Sequence, residues 1–225
     1  MTDNQKIAIA LDSGDAVSGL WLAPRTARAC LALAHGAGAG MAHKSIAALA
    51  EGLAERGIAT LRYQFLYMER GAKRPDPPAL AHKVVRAAIA EASKRSDKLP
   101  LFAGGRSFGG RMTSQAQALA PLPNVRGLVF FAFPLHPAGK PSEERAAHLS
   151  DVIVPMLFLS GTNDALASLE LLRPVVARLG GRAALKIVDG ADHSFQVPAK
   201  SGRNDADVLA EALDAAAAWM IATAQ

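Results

Sequence analysis

The stretch from Leu101 to Met112 limits what this chain can fold into more than any other. Its opening run, Leu101-Phe102-Ala103, is continuously apolar, the pattern of a strand covered on both faces, where no polar alternation is needed. Gly105-Arg106-Ser107-Phe108-Gly109 follows and fits G-x-S-x-G. Met112, Ala116 and Leu119 then recur at helical spacing up to the breaker Pro121. The spacing predicts a strand, a sharp turn and a helix, with Ser107 on the turn at positive φ. Gly105 and Gly109 lack the Cβ atoms that would clash where the chain packs back on itself. Ser107 Oγ would stand clear at the carboxyl end of the strand, and the amides after it open a helix, whose N-terminus favours developing negative charge. A serine in that context is a nucleophile elbow.

The rest of the chain supplies a sheet for this turn. Lys6–Leu11 and Val17–Leu22 are strand-like runs around Asp12-Ser13-Gly14-Asp15, a hairpin signal that puts antiparallel strands at one edge. Cys30–Ala34 is a continuous apolar run emptying into His35-Gly36-Ala37-Gly38-Ala39-Gly40. Ile46, Leu49, Ala50 and Leu53 mark a helix stopped by Gly57, and Ile58–Arg62 is the next strand. Tyr63–Pro78 reads as a loop closed by Pro75, Pro77 and Pro78, and Ala79–Arg95 as a helix. Val125–Phe131, Val154–Ser160 and Ala184–Val188 are further strands, Leu169–Leu179 and Asp205–Ala222 further helices. Strand and helix alternate from residue 30 onward. The class is therefore α/β: one domain over residues 1–225, with a mostly parallel sheet of about eight strands, an antiparallel N-terminal edge and helices on both faces.

Composition excludes several classes. With 225 residues, 50% hydrophobic and 20% charged, the chain can bury a sizeable core as one domain. The net charge of +5 is scattered, without a block of like charge, and aromatics are 5%. That pattern points away from nucleic acid and towards solubility with some attraction for anionic substrates. No apolar run reaches membrane-spanning length, and the stretch Met1–Lys6 is polar, without the apolar core of a signal peptide. The lone Cys30 excludes an internal disulfide framework, so a cytoplasmic location is expected. The six histidines show no metal-ligand spacing, so neither a metal nor another cofactor is expected.

In α/β sheets, functional side chains lie just past the carboxyl ends of strands. Asp164 follows the strand ending at Ser160, and His193 follows the strand ending at Val188. The order Ser107, Asp164, His193 is the Ser…Asp…His order of one particular fold and of neither chymotrypsin nor subtilisin. Asp192 competes as the acid, but adjacency to His193 makes approach to the ring awkward. Asp164 could instead cap a turn with Asn163, and His193 could be an ordinary loop histidine. His43, His82 and His148 read as structural or solvent-facing. Tyr63, Phe65 and Tyr67 either form a pocket wall or cover the sheet, and His136 either lines the pocket or supports its own proline-rich loop.

Taken together, His35-Gly36-Ala37-Gly38, Gly105–Gly109, Gly161-Thr162-Asn163-Asp164 and Ala191-Asp192-His193-Ser194-Phe195 resemble the α/β-hydrolases over the whole chain. Within that superfamily the chain is similar to dienelactone-hydrolase-like esterases. It resembles still more the KANSL/TEX-type hydrolase-like domains, through Gly105–Met112 and Pro134–Pro141. Dienelactone hydrolases carry a cysteine where this chain has Ser107, which argues against dienelactone chemistry. The resemblance implies a serine hydrolase in which Ser107 attacks a carbonyl, His193 acts as general base and Asp164 holds the imidazole. It implies an oxyanion hole from the Phe108 N–H and that of Ala37, with Gly38 as the alternative donor. His35, Gly36, Gly38, Tyr63, Phe65 and His136 are the candidate substrate-binding residues, His35 more as a support of its loop than as a reacting group. Ala132–Ile153 is too short for the helical lid of larger members. An open site walled by Tyr63–Pro78 and Pro134–Pro141 is expected, suited to small soluble esters or thioesters. The expected partner is thus a small-molecule ester, with no nucleic acid or membrane, in a monomer or homodimer. A hydrolase-shaped binding or scaffold protein without turnover is the alternative.

Overall fold

The computed structural model describes residues 4–225; Met1–Asp3, the start of the polar N-terminal stretch, lie outside the described residues. Strands β1 (Gln5–Ala10) and β2 (Ala16–Leu22) pair antiparallel, from Gln5 opposite Trp21 to Ala10 opposite Ala16. Their turn is closed by the Leu11 N–H donating to the Asp15 carbonyl at 2.8 Å, with Gly14 at φ 85°. From there the chain enters β3 (Ala29–Ala34), β4 (Ile58–Tyr63), β5 (Leu101–Arg106), β6 (Val125–Phe131), β7 (Met156–Gly161) and β8 (Ala183–Val188). The eight strands lie in the order β1-β2-β4-β3-β5-β6-β7-β8. β2 meets β4 antiparallel, and every pairing from β4 to β8 is parallel.

The parallel strands are mostly apolar, β3 wholly so, because their faces are covered. Period-2 alternation sends Cys30, Ala32 and Ala34 of β3 into one core and Ala29, Leu31 and Leu33 into the other. Against the first core pack α3 (Pro78–Ser96), α4 (Phe108–Leu119) and α5 (Leu169–Arg178), through residues such as Val84, Met112 and Leu172. Against the second pack α1 (Lys44–Glu55) and α6 (Asp205–Thr223), through Ile46, Leu53, Val208 and Ala212. Trp219 of α6 adds an edge-to-face contact with Phe102, ring centroids 5.8 Å apart.

Three local departures from the sequence reading have physical causes. β7 begins at Met156 rather than Val154, since Pro155 has no N–H for the ladder and offers only its carbonyl, to Leu128 N at 2.8 Å. The 63–78 segment is not all loop: Tyr63 ends β4, and Leu66–Glu69 forms a single helical turn, α2. The segment between β6 and β7, too short for a lid as expected, carries a 3-10 helix, Glu144–Asp151, that the sequence reading did not place.

From β3 the chain passes through α1 to β4 on one side, then crosses through α3 to β5 on the other. The strand order reverses there, which opens a crevice past the carboxyl ends of β3 and β5. Burial of the central strands should dominate stability. Leu33 has no exposed surface whereas Leu119 is 72% exposed. Leu33→Ala should therefore lower the unfolding free energy by about 2–5 kcal/mol, and Leu119→Ala should change it by no more than about 0.5 kcal/mol, both read by chemical denaturation.

Candidate active site

The crevice is built around the turn from β5 to α4. Ser107 has φ 50° and ψ −118°, a conformation that costs a non-glycine residue about 1–3 kcal/mol. The surroundings hold it there. The Ser107 N–H donates to the Phe131 carbonyl at 3.1 Å, and the Ser107 carbonyl accepts from Arg111 N at 3.1 Å, starting the helix. The end of β3 presses on the turn from beneath. A Cβ at position 105 would lie 2.4 Å from the Ala34 carbonyl oxygen, and one at position 109 would lie 2.5 Å from that of His35. Only glycine fits at either place, which explains the motif's flanking residues.

Ser107 Oγ and His193 Nε2 are 2.8 Å apart, and His193 Nδ1 lies 2.9 Å from both Asp164 oxygens. The Asp164 side chain has no exposed surface, and its Oδ1 also accepts from Leu166 N at 2.8 Å. Asp192 is occupied elsewhere: its Oδ1 accepts from Ser194 N at 2.7 Å and Gln196 N at 2.9 Å, shaping the histidine loop. Asn163 and Thr162 clasp the two loops together. The Asn163 N–H donates to the Ala191 carbonyl at 2.8 Å and its side-chain amide to the Gly190 carbonyl at 2.9 Å. Gly190 N donates back to Thr162 Oγ1 at 2.8 Å. Arg106 reaches across to the His193 carbonyl at 3.5 Å. Burial pulls this guanidinium below its ordinary range, and the neighbouring Asp192 and Asp164 carboxylates act against that pull.

On the other side of Ser107 lies the turn after β3. Among the described residues, the N–H groups of Phe108 and Ala37 donate to no other group, whereas Gly38 N donates to Tyr67 Oη at 2.9 Å. Of the two candidates in this turn, Ala37 is the one with a free amide. His35 supports the turn from below. The Gly36 carbonyl accepts from its Nδ1 at 2.7 Å and its Nε2 accepts from Phe65 N at 3.1 Å, so the partners select the neutral Nδ1–H tautomer. Burial pushes this imidazole down to about 4, against the Gly36 carbonyl, which favours its charged form.

Two open clefts meet over Ser107, sharing Ala37 and Leu166. One, about 470 Å³, is bounded by the Gly36–Ala39 turn, His43, Ser45 and Arg106. The other, about 430 Å³, is bounded by Arg74, Asp76, Phe108, Arg111, Pro134 and Arg145. Gly36 and Gly38 therefore line the crevice, and both expected wall segments border it. His35, Tyr63, Phe65 and His136 do not. Tyr63 and Phe65 are fully buried, and Phe65 backs Phe108 and His35 at centroid distances of 5.2 and 5.0 Å. His136 is buried because it braces the Asp164 loop: its Nε2 accepts from Ser168 N at 3.2 Å and its backbone N–H donates to the Leu166 carbonyl at 2.9 Å. His43 does line the cleft, and its Nδ1 caps α1 by accepting from Ser45 N at 3.2 Å. The sequence reading missed Arg74, Arg111 and Arg145 altogether. Its only signal was the spacing of Arg111, one helical turn beyond Ser107.

Burial also pushes His148 down to about 4, with the Arg111 charge adding to it. Both His35 and His148 are lowered from an ordinary value of 6.5, so the unfolded chain binds protons on them that the native state refuses. The stability they contribute is complete above about pH 6.5 and is lost as pH falls towards about 4. Urea midpoints should therefore drop between about pH 6.5 and 5, above the range where ordinary carboxylates titrate. His148→Gln should flatten that slope, and a midpoint constant across the window would contradict it.

The alpha/beta hydrolase domain family matches residues 27–221. Among solved structures, dienelactone hydrolase from Anabaena variabilis superposes with a TM-score of 0.79 at 20% identity, over 100% of this chain and 99% of that one. A lidless α/β serine hydrolase from Xanthomonas campestris gives 0.74 at 19%, over 97% and 96%. The esterase domain of a Rhodothermus marinus protein gives 0.71 at 17%, over 96% and 97%. These structural likenesses concern the fold. The family match, which spans the six strands β3 to β8 and most of α6, decides the affiliation: the chain belongs to the alpha/beta hydrolase family.

Proposed function

We propose that the protein is a serine hydrolase of small soluble carboxylic esters or thioesters. The observation that carries this reading is the hydrogen-bonded chain from Ser107 Oγ through His193 to the buried Asp164, placed beside two unoccupied amides on an open crevice. His193 Nε2 removes the Ser107 proton while Oγ bonds to the ester carbon, and the carbonyl electron pair moves onto its oxygen. The Phe108 and Ala37 N–H groups receive that oxyanion; one such donor contributes about 10²–10³ in rate. Collapse expels the alcohol or thiol, which takes the proton from Nε2. Water then repeats the sequence on the acyl-enzyme, releasing the acid and restoring Ser107. Asp164 holds Nδ1–H towards itself throughout and stabilises the imidazolium.

The open clefts favour compact, soluble substrates over long-chain lipids, whose tails would remain in water. A fluorophosphonate probe located by mass spectrometry tests the reading. Labelling is expected on Ser107 and should vanish in Ser107→Ala and His193→Ala. Asp164→Asn should lower kcat on an activated ester by about 10⁴-fold with KM little changed. A folded protein that takes no label would move the weight to a binding or scaffold role.

A further inference from the structure

The cleft on the Phe108 side of Ser107 has an unusual charge. Three guanidinium groups border it, from Arg74 on the 63–78 segment, Arg111 on α4 and Arg145 on the 3-10 helix. The one carboxylate there, Asp76, is held by an accepted hydrogen bond from Tyr67 N at 3.0 Å. Among the described residues, none of the three arginines has a carboxylate within ion-pair distance, although six arginine–carboxylate pairs form elsewhere. Arg111 Nε is buried with no hydrogen-bond partner. Burial, and then the facing Arg145 charge, pull the Arg111 guanidinium below its ordinary range. The nearby His148 adds no charge at neutral pH, being held at about 4.

Such an arrangement costs stability while the cleft is empty, because like charges face one another and a buried donor is unpaired. An anion entering the cleft relieves the like-charge penalty. The position also fits a substrate: Arg111 lies four residues beyond Ser107, about 6 Å of helical rise, and helix side chains lean back towards the N-terminus. A planar guanidinium fork matches a carboxylate in two parallel hydrogen bonds.

We propose that this cleft is a carboxylate subsite, so that the preferred substrate is an ester or thioester bearing an anionic carboxylate a few bonds from the scissile carbonyl. The substrate part of this proposal rests on the serine hydrolase reading; the subsite itself does not. Arg111 and Arg145 grip the carboxylate, and Arg74 at the exposed mouth draws it in.

Binding tests the subsite without turnover. Hexanoate, its neutral counterpart hexanamide, and inorganic phosphate are titrated by NMR into Ser107→Ala protein. Hexanoate should bind about tenfold or more tightly than hexanamide, and less so as salt is raised. The difference should collapse when Arg111→Gln or Arg145→Gln is added and return in part with Arg111→Lys. The exposed Arg74→Gln serves should the Arg111 variants melt early. Equal binding of acid and amide, or a difference that survives both glutamine variants, overturns the subsite; phosphate binding tighter than hexanoate overturns its assignment to carboxylate. Turnover then tests the substrate. The mono-4-nitrophenyl ester of adipic acid should exceed 4-nitrophenyl hexanoate about tenfold in kcat/KM, a ratio that falls towards one in Arg111→Gln. A ratio near one in protein whose Ser107 takes the fluorophosphonate label overturns the anionic substrate and leaves the hydrolase reading standing. No label, with Arg111-dependent hexanoate binding, keeps the subsite and removes the hydrolase reading.

Discussion

The contact on which everything else depends is between two backbones: the end of β3 at Ala34 and His35, and the β5–α4 turn at Gly105 and Gly109. A Cβ at either glycine would come within 2.5 Å of a carbonyl oxygen of β3. This approach forces Ser107 into its left-handed conformation and sets α4 over the sheet. Ala37 and Phe108 border the same cleft as Ser107. Moving β3 away would free the serine to relax, so one steric constraint governs Ser107 and the helix that follows it.

A second set of contacts fixes Asp164 and His193 against that frame. Asp164 and His193 come from separate strands, yet Thr162 and Asn163 tie the loop after β7 to the loop after β8 through backbone and side-chain hydrogen bonds. Gly161 makes the clasp possible, since a Cβ there would lie 2.0 Å from the Ala191 carbonyl oxygen. His136 braces the same loop from the far side. Asp164 is thus held by the shape of its loop as well as by the ring it faces.

Much of this was legible in the sequence, for definable reasons. Strands buried on both faces read as continuous apolar runs, so β3, β4, β5 and β6 stood out. The Ser107 position followed from where β5 ends, and Asp164 and His193 from where β7 and β8 end. α2 was invisible because four residues are too few to show a helical period. His136, Tyr63 and Phe65 were misplaced because a residue after a strand end can face the crevice or turn beneath it. Only the packing decides: Phe65 turns inward to donate its N–H to His35. Arg74, Arg111 and Arg145 lie far apart in the chain, so their convergence belongs to the fold and left no mark on the local pattern.

The hydrogen bond from Gly38 N to Tyr67 Oη has a wider meaning. It commits one of the two neighbouring amides of the turn to the protein itself, while the other, that of Ala37, has no partner among the described residues. His35, in one tautomer beneath, holds the same turn through Gly36 and Phe65. The shape of the turn is therefore set by chain folding. Whatever charge develops over Ser107 meets a solvent that has, in effect, been frozen in place.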